Sequence, residues 1–156
     1  MSPRAACRLA TLGFTRVYDY TPGKVDWLAR GLPGEGTRAD EPTAGSLARH
    51  DVATCPLDAA PGDVLRAIAD SPYGYALVLS PGGVVLGRVR KSALQTLGDG
   101  DPIDTVLEPR PQTIRPHLTQ RKLEERFEAY GFQTLVVTRP DGTLIGVVRR
   151  DEIVTS

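Results

Sequence analysis

The sequence of 156 residues has little cysteine, histidine or tryptophan: it contains two cysteines, two histidines and one tryptophan. Two thiols, Cys7 and Cys55, cannot form a disulfide framework or a four-thiolate metal site. Long apolar runs are also missing, since a stretch such as 135–137 is far shorter than the roughly 20 residues that span a membrane. The 19 basic residues balance 19 acidic ones, so no net charge draws the chain to nucleic acid or to a lipid surface. We therefore expect a cytoplasmic protein with no membrane segment and no nucleic-acid partner.

The most informative feature that is present is an internal repeat with a constant shift of 59 residues. The match runs without a gap from 52–94 to 111–153, and it joins a turn, a strand and a distant threonine in one register. Such self-similarity predicts a duplicated structural unit. The identical pairs are Thr54 and Thr113, Val78 and Val137, Pro81 and Pro140, Gly83 and Gly142, Gly87 and Gly146, Val89 and Val148, and Arg90 and Arg149.

The residue pattern of each copy predicts the element order β-α-β-β-α. A strand ends at a proline, an amphipathic helix follows, and two apolar strands are joined by a turn that contains proline and glycine. One three-stranded sheet has an apolar face that its own helices cannot cover, so we expect an α/β (α+β) fold in which two copies pack face to face. The predicted elements are strands 52–55 and 112–115, helices near 64–69 and 118–130, strands 75–79 and 134–138, strands 84–89 and 143–148, and short helices 90–97 and 149–155.

These units resemble the cystathionine-β-synthase (CBS) domain over residues 47–155. The segment that carries most of the resemblance is 135–148, Leu-Val-Val-Thr-Arg-Pro-Asp-Gly-Thr-Leu-Ile-Gly-Val-Val, together with the threonine that closes the first strand. The resemblance implies a Bateman module with repeats at 47–97 and 111–156, joined by a linker at 98–110. It implies a non-catalytic sensor that needs no cofactor, forms a homodimer, and binds AMP, ADP, ATP or S-adenosylmethionine in a cleft between the repeats.

The resemblance also implies which positions contact the ligand. In the family, a Ser or Thr directly after the third strand and an Asp three residues later commonly hold phosphate and ribose. The second repeat is the better candidate, because Glu152 keeps a carboxylate where the first repeat has Ala93. The candidate ligand-binding residues are Thr54, Ala76, Arg90 and Lys91 in the first repeat, and Thr113, Thr134, Val148, Arg149 and Glu152 in the second.

The arginines that stand at the Ser/Thr position leave two interpretations open. Arg90 and Arg149 either grip a phosphate with a guanidinium fork or are solvated residues of short surface helices that pair with nearby carboxylates. Thr54 and Thr113 either contact a ligand or cap their own turns.

Residues 1–36 resemble the C-terminal end of a rhodanese domain, on the strength of the segments 12–20 and 27–33. We expect a helix that begins at Ser2, a strand at 14–20 and a helix at 24–30, followed by a linker at 37–46. The nucleophilic cysteine of that family precedes the helix, so Cys7 within the helix cannot replace it. The segment is therefore expected to be a non-catalytic remnant or the exposed tail of a longer product.

A ligand-free function is the alternative to a sensor. Tyr18, Tyr20 and Trp27 need cover from the repeats or from a second chain, because monomers rarely expose a large apolar patch. The alternative is a dimerisation or partner-docking module that uses this aromatic segment. His50 and His117 have no acid or thiol at a metal-ligand spacing, so no metal site is predicted.

Overall fold

A computed structural model describes residues 3–18, 20–30, 32 and 41–153 of the chain. The helices in this part are α1 (Pro3–Thr11), α2 (Gly23–Ala29), α3 (Ala44–Leu47), α4 (Pro61–Ala69), α5 (Lys91–Leu94), α6 (Gln120–Tyr130) and α7 (Arg150–Ile153), with a 3₁₀ turn at Ile103–Val106. The strands are β1 (Ala53–Pro56), β2 (Tyr75–Leu79), β3 (Val85–Arg90), β4 (Glu108–Pro109), β5 (Thr113–Ile114), β6 (Thr134–Thr138) and β7 (Leu144–Arg149).

Each repeat forms its own sheet, with strand orders β1-β2-β3-β4 and β5-β6-β7. The first strand of each repeat is parallel to the second, and the third is antiparallel to it. The predicted central strands 75–79 and 134–138 agree with the structure to the residue, because their apolar runs are bounded by clear turn signals. The turns depend on Gly83 and Gly142, whose φ angles of 78° and 87° lie in the region that favours glycine.

One amphipathic helix covers the outer face of each sheet. Helix α4 buries Val64 and Ile68 against the first sheet, and α6 buries Leu123 and Phe127 against the second. Ile68 and Phe127 are related by the shift of 59, so the same position is the centre of both cores. Helix α6 ends at Tyr130, where the predicted helix also ends, and its C-cap Gly131 has a left-handed φ of 64°.

The two sheets pack face to face around a local twofold axis, which confirms the predicted fold class. The shared core contains Val52, Tyr75, Leu77, Val136 and Val147. Residues that are equivalent in the two repeats meet at the axis. The contacts are the hydrogen bond between the side chains of Tyr75 and Thr134 and the paired backbone hydrogen bonds from Val85 N to Gly142 O and from Leu144 N to Gly83 O.

The segment that precedes each repeat packs against the other repeat, and we call these two segments the exchanged segments. The 3₁₀ turn and β4 precede the second repeat but complete the core and sheet of the first, where Ile103 is fully buried. Helix α3 precedes the first repeat but packs on the second, where Ala44 is buried and Arg49 pairs with Val147. Helix α3 thus begins inside the segment predicted to be a linker at 37–46.

The N-terminal segment contains α1 and α2, close to the predicted helices. The strand predicted at 14–20 is wrong for the described residues 14–18 and 20, which form no strand. An isolated extended segment has no neighbouring strand to satisfy its backbone groups. Ser2, the predicted helix cap, lies outside the described residues. Among the helices that the structure describes, none is long and apolar enough to cross a bilayer.

Candidate ligand-binding grooves between the repeats

The two repeats enclose a cavity of about 230 Å³, which we call the Arg88 groove. Residues of β2, β3 and β4 form the side from the sheet of the first repeat, and β6 with the segment 110–112 and Phe132 forms the other side. A ligand in this cavity would contact both repeats at once. Its lining residues are Tyr75, Arg88, Glu108, Pro109, Arg110, Pro111, Gln112, Phe132, Thr134 and Val136.

Glu108 lies between two arginines at this groove. Its Oε2 accepts a hydrogen bond from Arg88 Nε at 2.6 Å, and its Oε1 accepts one from Arg90 Nε at 2.6 Å. Partial burial opposes ionisation of Glu108, but the two hydrogen bonds and the charges of both arginines outweigh it and lower the pKa of the carboxyl below its ordinary value. Glu108 is therefore ionised at neutral pH and held by two guanidinium groups.

A third arginine of the groove, Arg110, adopts a left-handed backbone conformation with φ of 58°. This conformation costs a residue other than glycine about 1 kcal/mol. Within the described part of the chain, Arg110 makes no ion pair closer than 4.0 Å. Backbone strain of this kind is concentrated at ligand-binding and active sites. Arg110 thus supplies an unpaired positive charge to the groove.

Tyr75 and Thr134 connect the groove to the twofold axis. The Tyr75 ring centre is 5.9 Å from the guanidinium carbon of Arg88. The Tyr75 hydroxyl donates a hydrogen bond to Thr134 Oγ1 at 3.0 Å. Burial raises the pKa of Tyr75, so the phenol stays protonated and can donate. Thr134, one of the predicted ligand-binding residues, therefore lines the Arg88 groove.

Positions related to this groove by the shift of 59 form a set of mutually bound polar side chains, the Tyr73 cluster. The Tyr73 hydroxyl donates to Asp51 Oδ1 at 2.7 Å, and the Arg149 guanidinium carbon lies 5.9 Å from the Tyr73 ring centre. Arg49 pairs with Asp51 at 3.3 Å and with Glu152 at 3.1 Å. The cluster comprises Arg49, Asp51, Tyr73, Arg149, Asp151 and Glu152.

The pKa shifts in the Tyr73 cluster have the directions expected for groups that stabilise one another. The hydrogen bond from Tyr73 lowers the pKa of Asp51. Burial and the same hydrogen bond raise the pKa of Tyr73. The hydrogen bond to Asp151 raises the pKa of Arg149. Asp51 is therefore ionised, and Asp51, Asp151 and Glu152 each accept a hydrogen bond from a donor of the same chain.

The charges at equivalent positions of the two regions are inverted. Arg49 of the Tyr73 cluster corresponds to Glu108 of the Arg88 groove, and Asp51 corresponds to Arg110. Arg88, Arg110 and Glu108 line the Arg88 groove, and Arg90 adds a third arginine through its ion pair with Glu108. The Tyr73 cluster instead has two arginines and three carboxylates. Only the Arg88 groove has an excess of positive charge.

The predicted ligand-binding residues are distributed over several environments. Arg149 and Glu152 both belong to the Tyr73 cluster, and Arg90 reaches the Arg88 groove through Glu108. Their arginines are paired with carboxylates, as one of the two interpretations expected. Ala76 and Val148 are buried in the cores of their own repeats, whereas Lys91 and Thr113 are exposed.

Thr54 lies at a second inter-repeat cavity of about 280 Å³. Residues of both turns line it, including Gly83 and Thr143, together with His50 and Leu79. This cavity does not bring Thr54 together with the other predicted residues.

The residues that give the Arg88 groove its charge were not predicted from the sequence: Arg88, Glu108 and Arg110. Extended beyond the matched segments, the shift of 59 pairs Arg49 with Glu108 and Asp51 with Arg110; Glu108 and Arg110 lie in the segment assigned to the linker 98–110.

The cysteines take no part in either region. Cys55 is buried in β1, and burial raises the pKa of its thiol to about 11. It is therefore protonated at neutral pH and a poor nucleophile. Cys7 is exposed on α1. Among the described residues, no group of three His, Cys, Asp or Glu side chains could hold a metal ion.

Comparison with known proteins supports the CBS resemblance. Residues 103–156 match the sequence profile of the CBS domain family. No curated protein sequence matches the chain. Within the solved structures, CBS domains of a transcriptional regulator from Streptococcus pneumoniae share 22% identity at a TM-score of 0.65, covering 73% of this chain and 98% of that one.

Two similar structures contain nucleotides. The cytosolic domain of the Mg2+ channel MgtE in complex with ATP shares 21% identity at a TM-score of 0.65, covering 73% of this chain and 48% of that chain. This chain thus spans about half the length of the channel domain. CBSX2 in complex with AMP shares 19% identity at a TM-score of 0.61, covering 73% of this chain and 94% of that chain. The fold is that of a pair of CBS domains, whereas the rhodanese resemblance of residues 1–36 stays a prediction.

Proposed function

We propose that the protein is a cytoplasmic, non-catalytic regulatory module that binds an adenosine nucleotide, or a related phosphate ligand, between its two repeats. The observation that carries this proposal is the Arg88 groove, a cavity bounded by both repeats and facing more cations than anions. Guanidinium groups bind phosphate oxygens through paired hydrogen bonds. The nucleotides in the similar ATP and AMP complexes support the choice of an adenosine compound.

Regulation would arise from the position of the ligand between the repeats. A ligand that contacts both repeats binds one relative arrangement more tightly than another, and so shifts the population toward it. The shared core around Leu77 and Val136 allows such a change, because packed apolar layers can shift by small amounts relative to each other. No resident cofactor is required for this role.

Calorimetric titration with AMP, ATP and S-adenosylmethionine tests the proposal. We expect one of these compounds to release or absorb heat with the full chain, and Arg88→Gln to weaken that binding. Arg66→Gln is the matched control, because Arg66 is an exposed arginine on α4 that pairs with Asp63 away from the groove. If none of the three compounds binds to the unaltered protein, the proposed function is wrong.

A second candidate function is association through the N-terminal segment, as a homodimer or with a partner. The observation that favours it is the exposure of Leu12, Phe14 and Tyr18, which are 65%, 60% and 83% accessible. Light scattering during size-exclusion chromatography compares the full chain with the double variant Phe14→Ser and Tyr18→Ser. We expect a dimer that the two changes convert to a monomer. An unchanged molecular mass would exclude this segment as the association surface.

A further inference from the structure

We propose that Glu108 is an internal anion that occupies the phosphate-binding position of the Arg88 groove and is displaced when a ligand binds. The inference rests on the proposed function for the chemical class of the ligand, a compound with a phosphate group. It adds which residues contact the phosphate and what limits the affinity.

The geometry of the ion pairs is the first argument. Glu108 uses one carboxylate oxygen for Arg88 and the other for Arg90, both at 2.6 Å. Two oxygens of a phosphate group can accept the same pair of N–H donors. Alternate residues of a strand point to the same side, so Arg88 and Arg90 present their guanidinium groups as a pair. A phosphate would therefore compete directly with the carboxylate of Glu108.

The second argument is how weakly the backbone holds Glu108. It belongs to β4, a strand of two residues that ends at Pro109, and its side chain is 42% accessible. The carboxylate can leave the arginines by rotation of its own side chain into solvent. Arg110 follows in its strained conformation, with a charge that no carboxylate of the described residues neutralises. A phosphate that replaced Glu108 would meet all three arginines.

The contrast with the Tyr73 cluster is the third argument. There, Arg49 and Arg149 are each paired with a carboxylate, and Asp51 also accepts the Tyr73 hydroxyl. An incoming phosphate would have to separate several coupled pairs and would meet excess negative charge. The structure therefore assigns the phosphate to the Arg88 groove, with one ligand bound per chain.

The experiment measures binding of ATP and of inorganic pyrophosphate to the full chain by calorimetry. Glu108→Gln removes the competing charge and should tighten binding by about tenfold, the effect of one charge-assisted hydrogen bond. Arg110→Gly keeps the left-handed turn but removes the unpaired cation, and should weaken binding several-fold. Asp63→Asn, which also removes the carboxylate of an arginine pair, is the matched control and should leave the affinity unchanged.

The possible outcomes separate this inference from the proposed function. If ATP binds the unaltered chain and Glu108→Gln leaves its affinity unchanged or weaker, Glu108 does not compete, while the proposed function stands. If Glu152→Gln, in the Tyr73 cluster, is the variant that tightens binding, the groove assignment is wrong. If no nucleotide binds but Glu108→Gln gains binding of pyrophosphate over the unaltered chain, the inference holds and the nucleotide function fails.

A more conservative variant protects the test against misfolding. Circular dichroism verifies that each variant is folded. If Glu108→Gln fails to fold, Glu108→Asp retains the charge on a side chain one methylene shorter, which can reach the two arginines less well. It should then tighten binding by an intermediate factor, and an unchanged affinity would overturn the inference.

Discussion

The Arg88 groove and the Tyr73 cluster are formed at equivalent backbone positions of the two repeats. The charges at two of these positions are reversed. In the Tyr73 cluster, Arg49 and Asp51 satisfy each other and their neighbours. In the Arg88 groove, the equivalent Glu108 and Arg110 are not partners, since Glu108 pairs with the arginines of β3 instead. These two inversions of charge give the Tyr73 cluster mutually paired side chains with an excess of carboxylates, and give the Arg88 groove an excess of cations.

Under the proposed function, this difference corresponds to a duplicated fold that keeps one site and loses another. The backbone of both repeats is constrained by the cores and by the shared interface, where volume changes are costly. The polar positions around the axis are not constrained in this way. A binding site can therefore be closed on one side by side chains that bind one another, without any change in the fold. The following experiments test the equivalence of the two halves, from the largest expected effect to the smallest.

The cores of the two repeats are expected to differ in their sensitivity to truncation. Phe127→Ala should lower the free energy of unfolding by about 3–5 kcal/mol, because it leaves a large cavity beneath α6. Ile68→Ala, at the equivalent position beneath α4, should cost less, about 2–4 kcal/mol. Urea denaturation followed by circular dichroism measures both. A larger loss for Ile68→Ala would mean that the first core supports more of the fold than the second.

The packing of the exchanged segments should make the free energy of unfolding sensitive to one methyl group added at the glycine that each segment contacts. A Cβ atom at Gly146 would lie 2.4 Å from the carbonyl oxygen of Arg49, and one at Gly87 would lie 2.7 Å from that of Glu108. We expect Gly146→Ala and Gly87→Ala each to lower the free energy of unfolding by about 1–3 kcal/mol, because the paired segment must move away. Gly62→Ala is the control, since nothing lies within 4 Å of its Cβ position and alanine favours its helix. Thermal denaturation compares the three, and a stable Gly146→Ala would contradict the close approach.

The hydrogen bond from Tyr75 to Thr134 at the axis should contribute more to stability than the hydrogen bond from Tyr73 to Asp51 in the Tyr73 cluster. Tyr75→Phe removes a buried bond to Thr134 and should cost about 0.5–1.5 kcal/mol of folding free energy. Tyr73→Phe removes a bond to an exposed carboxylate and should cost less. A double-mutant cycle with Thr134→Val isolates the contribution at the axis. Coupling energy close to zero would mean that the two side chains do not interact in solution.

The smallest expected effect is a dependence on pH at the Arg88 groove. Because the pKa of Glu108 is lowered from its ordinary 4.5, its ion pairs contribute stability above that pH. The contribution is lost as the pH falls through the lowered pKa. At pH 7 we expect the unaltered chain to be more stable than Glu108→Gln by at most about 1 kcal/mol, because both partners are partly solvated.

Denaturation of both proteins at intervals between pH 3 and pH 7 measures this difference. The two stability curves should converge at the acidic end. A difference that grew with acidification would mean that Glu108 is destabilised, rather than stabilised, by its surroundings.

Those features of the structure that depend on local sequence could be predicted, and those that depend on exchange between repeats could not. The strands 75–79 and 134–138 and the stop at Gly131 follow from apolar runs, turn residues and glycine. Helix α3 was missed because its four residues have no apolar period, and its burial comes from a sheet about 100 residues further along. The strand expected at 14–20 shows the opposite failure, since alternation alone does not supply a pairing partner.

The candidate site was predicted in part for the same reason. Thr134 was named because the CBS resemblance implied it, and it lines the groove. Arg88 and Glu108 were missed because they come together only through β4, which crosses from the segment before the second repeat to the edge of the first sheet. Neither residue has a local signal, so their pairing required the three-dimensional arrangement.

The exchange of the leading segments has a consequence for how such a chain can arise and be divided. A gene fragment encoding either half alone would produce a helical turn severed from the surface that buries it. In the same fragment, the outer strand of the sheet would lose its pairing partner, and an unpaired edge strand promotes aggregation with other chains. The tandem copies are therefore interdependent, and neither is a free-standing building block that protein engineering could transplant by cutting between them.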